Sequence, residues 1–194
     1  MITLNFDMDG TIADLYGVKD WLPKLRAEDV TPYAIAKPLV DMQELAYLLN
    51  MLKQTGDFRI VVISWGSMDG STEYVRQTKK VKIEWLKQFN FPFDEMHCVK
   101  YGTPKQKFIP QDSELNILWD DNKEIRQNWN GIKNSVAFSP DNNGIIEFLQ
   151  MALDMRIQFG ADFTPHRKKE RDKNGANLCF NYGIFIWYGN GYRN

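Results

Sequence analysis

Cysteine is nearly absent from this chain: there are two, Cys98 and Cys179, in 194 residues. Two thiols in a chain this long do not make a disulfide framework, and neither sits in C-x-x-C or any comparable metal-ligand spacing. That scarcity suits a reducing cytoplasm. An excess of charge of either sign is also missing, with 24 Lys and Arg against 25 Asp and Glu and a net charge of -1. The balance gives no global drive toward nucleic acid or anionic membrane, so contact with either needs a local patch. Long apolar runs are missing too. Charge arrives at Asp7, which leaves no room before it for the apolar region of a signal peptide, and no stretch approaches the ~18 residues of a membrane span. The sequence therefore predicts neither export nor membrane insertion. Internal repeats and low-complexity tracts are not visible.

What is present is ordinary globular material. Apolar residues make up 43% and charged residues 25%, well away from disordered composition, and the length suits one main domain with a small appendage. Three short apolar runs each close on polar residues: ITLNF before Asp7, FRIVVI (58 to 63) before Ser64, and LNILW (115 to 119) before Asp120 and Asp121. Runs of this length and composition predict strands buried on both faces. Helical spacing alternates with them. Leu39, Met42, Leu45, Leu49 and Leu52 share one face ahead of Gly56; Val81, Trp85, Leu86 and Phe89 mark a helix over 78 to 89, and a third covers 143 to 159. Strands alternating with helices predict a Rossmann-like parallel sheet with helices on both faces. In such sheets ligands bind beyond the carboxyl ends of the strands, where all three polar clusters fall.

Two segments depart from the alternation. Residues 15 to 38, containing Trp21, Pro23, Pro32 and Tyr33, are too long for a tight turn and predict a small helical lid over the end of the first strand. Residues 1 to 160 are accordingly read as an α/β core carrying that lid. Residues 161 to 194 are read as a C-terminal extension in which HRKKERDK (166 to 173) carries five basic and two acidic residues ahead of a glycine-punctuated aromatic stretch. The basic run can track a phosphate backbone or stand as a solvated surface. The aromatic stretch suits an added edge strand, a hairpin over the core or a dimer contact.

The first polar cluster, Asp7-Met8-Asp9-Gly10-Thr11, is open to three readings: a hard-cation site, a nucleophile beside an acid/base partner, or a polar turn. A calcium loop of the EF-hand kind is excluded, because it needs glycine where Ile12 stands and glutamate where Val18 stands. Taken in order, the strand with DxDGT, the strand with Ser64, a downstream lysine and the strand with "ILWDDNKE" resemble the haloacid dehalogenase-like (HAD) phosphohydrolase superfamily over roughly residues 1 to 145. The short lid directly after the first motif is similar to that of its deoxyribonucleotidase-like and bacteriophage-encoded members.

Phosphoryl transfer needs an in-line nucleophile, a cation to hold phosphate near carboxylates, and positive groups for the equatorial oxygens. Asp7 is the expected nucleophile, forming an aspartyl-phosphate. The resemblance implies that Asp9 is the general acid/base and lends its backbone carbonyl to a metal. Magnesium is the expected cofactor, with Asp7 and Asp121 as carboxylate ligands and Asp120 competing for the role of Asp121. Ser64 is expected to donate to a phosphate oxygen, or else to serve as a cap or turn residue. Lys105, after Gly-Thr-Pro, is the expected phosphate lysine, ahead of Lys107 and Lys100. Gly10 and Thr11 shape the turn and present amides, while Asp14 is a supporting group or an ordinary turn charge. Trp65 and Tyr16, with Trp21 and Tyr33, either stack on a base or anchor the lid.

The expected function is magnesium-dependent hydrolysis of a small phosphorylated metabolite, such as a nucleoside monophosphate. The alternatives are a nucleic-acid end phosphatase that uses the 166 to 173 run, and a non-catalytic phosphate- or partner-binding module on the same scaffold.

Overall fold

The computed structural model describes residues 1–140 and 144–159; the basic run 166 to 173 and the aromatic segment after it lie outside them. At its centre is a five-stranded sheet in which every pairing is parallel: β1 (Ile2–Phe6), β4 (Phe58–Trp65), β5 (Glu95–Val99), β6 (Leu115–Trp119) and β7 (Ser135–Phe138), in the order β5-β4-β1-β6-β7. Helices α3 (Met42–Gln54), α4 (Thr72–Gln88), α5 (Lys123–Asn130) and α6 (Gly144–Phe159) alternate with the strands. The fold is α/β and Rossmann-like. From β1 the chain builds outward through β4 to β5, then crosses back to place β6 and β7 on the other side of β1. The sheet's switch point therefore lies between β1 and β6.

The three central strands are the three apolar runs. All five residues of β1 and of β6 are buried, because both faces are covered. On one face Phe6 stacks on Trp119 with ring centroids 4.9 Å apart, and Trp119 meets Phe148 of α6 edge-on at 5.3 Å. On the other, Val61, Ile63 and Leu118 pack with Ile125 and Trp129 of α5. The edge strands β5 and β7 are shorter on apolar residues and only partly buried, so their sequences carry no comparable run.

Helix starts follow local chemistry. Asp41 caps α3 by accepting from the amides of Gln43 and Glu44, and Asn122 caps α5 by accepting from those of Glu124 and Ile125. Ser71 caps α4 through the amide of Tyr74, so this helix begins at Thr72, ahead of residue 78, where the apolar spacing first marks it.

The excursion after β1 is helical. It contains α1 (Trp21–Arg26) and α2 (Thr31–Ile35), and its base is closed by a two-residue antiparallel ladder between β2 (Ala13–Asp14) and β3 (Lys37–Pro38). Trp85 of α4 ties that base down by donating its indole N–H to the carbonyl of Ala36, 2.8 Å away. Sheet, lid and site all belong to one compact unit, Met1–Leu153. Among the described residues, no helix is long and apolar enough to cross a membrane.

Candidate functional site

The register of the sheet assembles the site. Phe6 pairs with Val62 on one side and Trp119 on the other, so one residue further on Asp7 stands beside Asp120, with the Asp7 amide donating to the Trp119 carbonyl at 2.9 Å. Carboxylate oxygens of Asp7, Asp120 and Asp121 lie within 4.8 Å of one another, an arrangement able to hold a metal ion. Oxygen donors of this kind suit a hard divalent cation.

One lysine enters this cluster. Lys105 opens a short 3-10 helix (Lys105–Phe108) that follows Pro104, and its buried ammonium lies 2.6 Å from Asp7 Oδ1 and 2.7 Å from Asp120 Oδ2. Burial pulls the Lys105 ammonium toward neutrality, but the two carboxylates more than offset it and hold its pKa above the ordinary lysine value. Lys107 is exposed on the same turn, and Lys100 reaches only an exposed contact with Asp69 at 3.7 Å. Asp120 is fully buried and also accepts from the amide of Asn122; burial, then the charge of Asp7, pushes its pKa up to about 6. Asp121 is half-buried and, unlike its neighbours, is not bonded to Lys105. Burial and the charges of Asp7 and Asp120 push it up to about 7. The cluster is short of positive charge.

The tight turn after Asp7 explains its glycine. Gly10 has φ +81°, and a Cβ there would lie 2.5 Å from Asp121 Oδ2 and 2.6 Å from Tyr16 Cε2. The amides of Thr11, Ile12 and Ala13 converge on the carbonyl of Met8, and that of Gly10 donates to Ala13. The Gly10 and Thr11 amides are thus committed to the turn. Thr11 is buried, and its hydroxyl oxygen accepts from the Asp121 amide at 3.2 Å, joining the first carboxylate loop to the last. Asp14 holds the amide of Gly17 at 2.9 Å, as an ordinary turn residue does.

Asp9 is not one of the three clustered carboxylates. Its Oδ2 is ion-paired with Lys82 of α4, whose ammonium also donates to Ser64 Oγ at 2.7 Å and to the carbonyl of Trp65 at 2.8 Å. Burial pushes the Asp9 carboxyl above the usual carboxylate range, and the pairing with Lys82 only partly counters that. Ser64 lies inside β4, fully buried, with its hydroxyl directed at Asp9 and Lys82. It is not part of the cavity wall. Lys82 is the functional candidate that strand-end reasoning misses. A signal was present: of the four lysines in Lys79-Lys80, Lys82 and Lys87, Lys82 alone falls in the stripe of Thr78, Trp85, Leu86 and Phe89.

Above the carboxylates lies a cavity of about 760 Å³, in the range of small-molecule sites. Asp7, Asp9, Asp120, Asp121 and Lys105 form its polar floor. The lid supplies Tyr16, Trp21, Leu22, Leu25 and Tyr33, the end of β4 supplies Trp65, and the loops after β4 and β5 supply Met68 and Tyr101. Tyr16 and Trp21 meet edge-on at 5.1 Å. Trp65 lies 4.7 Å from Tyr101, fixed by its indole N–H donating to the Thr103 carbonyl at 2.9 Å. At the rim, Glu28 of the lid accepts from both the amide and the hydroxyl of Ser71, at 2.7 and 2.6 Å, latching the lid to the start of α4. No family model matches the chain, and no curated protein matches it.

Proposed function

We propose that this chain is a HAD-like, magnesium-dependent phosphomonoester hydrolase acting on a small phosphorylated metabolite in the cytoplasm. One observation carries the reading: Asp7, Asp120 and Asp121 converge with the buried Lys105 at the switch point of a parallel sheet, on the floor of an aromatic-walled cavity. A floor of carboxylates with a fixed ammonium suits an anion only when a cation accompanies it. Asp7, Asp120 and Asp121 would hold magnesium, which when bound supplies charge neutralisation to the phosphoryl oxygens and to the carboxylates themselves.

The residues then divide the work. Asp7 attacks phosphorus through a carboxylate oxygen, and the bond to the leaving oxygen breaks as Asp9 hands that oxygen its proton. Water next attacks the aspartyl-phosphate, Asp9 takes the proton from it, and the Asp7–phosphorus bond breaks to release inorganic phosphate. Lys105 stabilises charge on the phosphoryl oxygens from a position that costs no reorganisation. The planar base of a nucleoside leaving group would meet the lid aromatics and Trp65, which line the same cavity. Closure of the lid excludes water from the first step.

The test is phosphate release with magnesium from a panel of nucleoside monophosphates, sugar phosphates and 5'- or 3'-phosphorylated oligonucleotides. Release from the small esters, abolished by chelator, is expected; release confined to oligonucleotides would replace this reading with the end-phosphatase one, and none from any substrate would reject both.

A further inference from the structure

Two buried ammonium groups serve the DxD turn, one for each carboxylate. Lys105, at the start of the 3-10 helix, is ion-paired with Asp7, while Lys82, fully buried on α4, is ion-paired with Asp9. An ammonium has three N–H donors. Those of Lys82 meet three acceptors: Asp9 Oδ2, Ser64 Oγ and the Trp65 carbonyl. Tyr33 of the lid lies under the same nitrogen, its ring centroid 4.4 Å away. With all three donors engaged and no solvent contact, the ammonium has one orientation. It fixes in turn the carboxylate to which it is paired.

A lysine in a helix's core stripe is not there for stability, since burying a charge is costly and an apolar side chain of similar size commonly serves as well. Nor does it line the cavity. What it determines is the placement of Asp9. Oδ2 is turned inward to Lys82 and Ser64, and Oδ1 has no hydrogen-bond partner among the described residues, although Asp9 lines the cavity. We propose that Lys82 is the positioning residue of this site: it anchors one oxygen of Asp9 so that the other is presented to the leaving group. Ser64, directly after the FRIVVI run, then braces this pair from inside the strand and makes no contact with phosphate. The inference rests on the phosphatase reading for the role of Asp9, but the Lys82–Asp9–Ser64 geometry stands apart from it.

Two measurements test it. The first is single-turnover release of the leaving group by the full chain from p-nitrophenyl phosphate, whose leaving group departs without a proton, and from glycerol 2-phosphate, whose alkoxide needs one. Lys82→Met and Lys82→Gln are expected to slow release from the alkyl ester by about 100-fold or more, the scale of general-acid catalysis, and from the aryl ester by less than about tenfold. Equal losses on both esters, or none, would overturn the inference. The second needs no lysine variant and no turnover. In lysine-selective 15N spectra, two solvent-protected ammonium signals are expected, one shifting with Asp9→Asn and the other with Asp7→Asn. If no protected ammonium responds to Asp9→Asn, the positioning role is wrong whatever the protein hydrolyses. A wild type that releases neither leaving group while showing both signals would instead reject the reaction and keep the Lys82–Asp9 anchor.

Discussion

Lys105→Met replaces a buried cation with an apolar side chain of similar length and leaves three clustered carboxylates without their neutralising partner. Lys105 is 2% exposed and touches Asp7 at 2.6 Å and Asp120 at 2.7 Å. Removing one member of a buried, hydrogen-bonded ion pair costs about 3 to 5 kcal/mol, most of it from the charge left behind. Here protonation can relieve that charge. Asp120 already stands at about 6 and Asp121 at about 7 with the lysine in place, and without it both move higher. A carboxyl whose folded-state pKa is raised holds its proton in the folded chain at pH values where the unfolded chain has released it, so stability falls as pH rises through that window. The variant should therefore lose about 3 to 5 kcal/mol at pH 8 and distinctly less at pH 5.5, read by urea unfolding in chelator. A loss below about 1 kcal/mol at pH 8 would place the pair among weak surface-like bridges. A loss equal at both pH values would show that the clustered charge is not its origin. Either result would refute the electrostatic account of the floor.

Other consequences follow from the same geometry. Gly10→Ala forces a Cβ against Asp121 and Tyr16 at a positive φ, so it should destabilise the chain by about 1 to 2 kcal/mol in urea unfolding and lower phosphate release about 100-fold through misplacement of the floor. In the wild type without a divalent cation, the raised pKa values of Asp120 and Asp121 predict a thermal midpoint that falls between pH 5.5 and pH 8. Magnesium should raise that midpoint most at pH 8, and its affinity by calorimetry should weaken as protons compete below pH about 7. Glu28→Ala releases the latch between lid and α4 while leaving the Ser71 cap of that helix in place; a several-fold rise in KM is expected, about one order of magnitude at most, with the midpoint nearly unchanged because Glu28 is solvent-exposed.

The sequence shows the centre of the fold more plainly than its margins, for a physical reason. β1, β4 and β6 are covered on both faces and read as continuous apolar runs, whereas EMHCV and SVAF at the sheet edges are half-exposed and mixed in polarity. Helix α5 is only eight residues long, with two buried side chains, too short for its periodicity to stand out. At the site, the residues that end strands were legible because register places them together: Asp7, Asp120 and Asp121 meet, and Pro104 starts the turn that delivers Lys105. Ser64 was legible in position but not in direction, since a strand-end serine can face a ligand or a buried neighbour. Lys82 was hidden by the expectation that lysines on helices are solvated; a cation inside an apolar stripe is the mark that reveals it.

The central claim is that Asp7 becomes covalently phosphorylated. Rapid acid quench of the full chain mixed with magnesium and a turned-over phosphomonoester, followed by peptide mass analysis, tests it most directly. The account predicts one phosphoryl group on the peptide containing Asp7, present within the first turnover and absent in Asp7→Asn, which should release no phosphate. Phosphate release by the wild type with no phosphoryl group on that peptide, or continued turnover by Asp7→Asn, would contradict it.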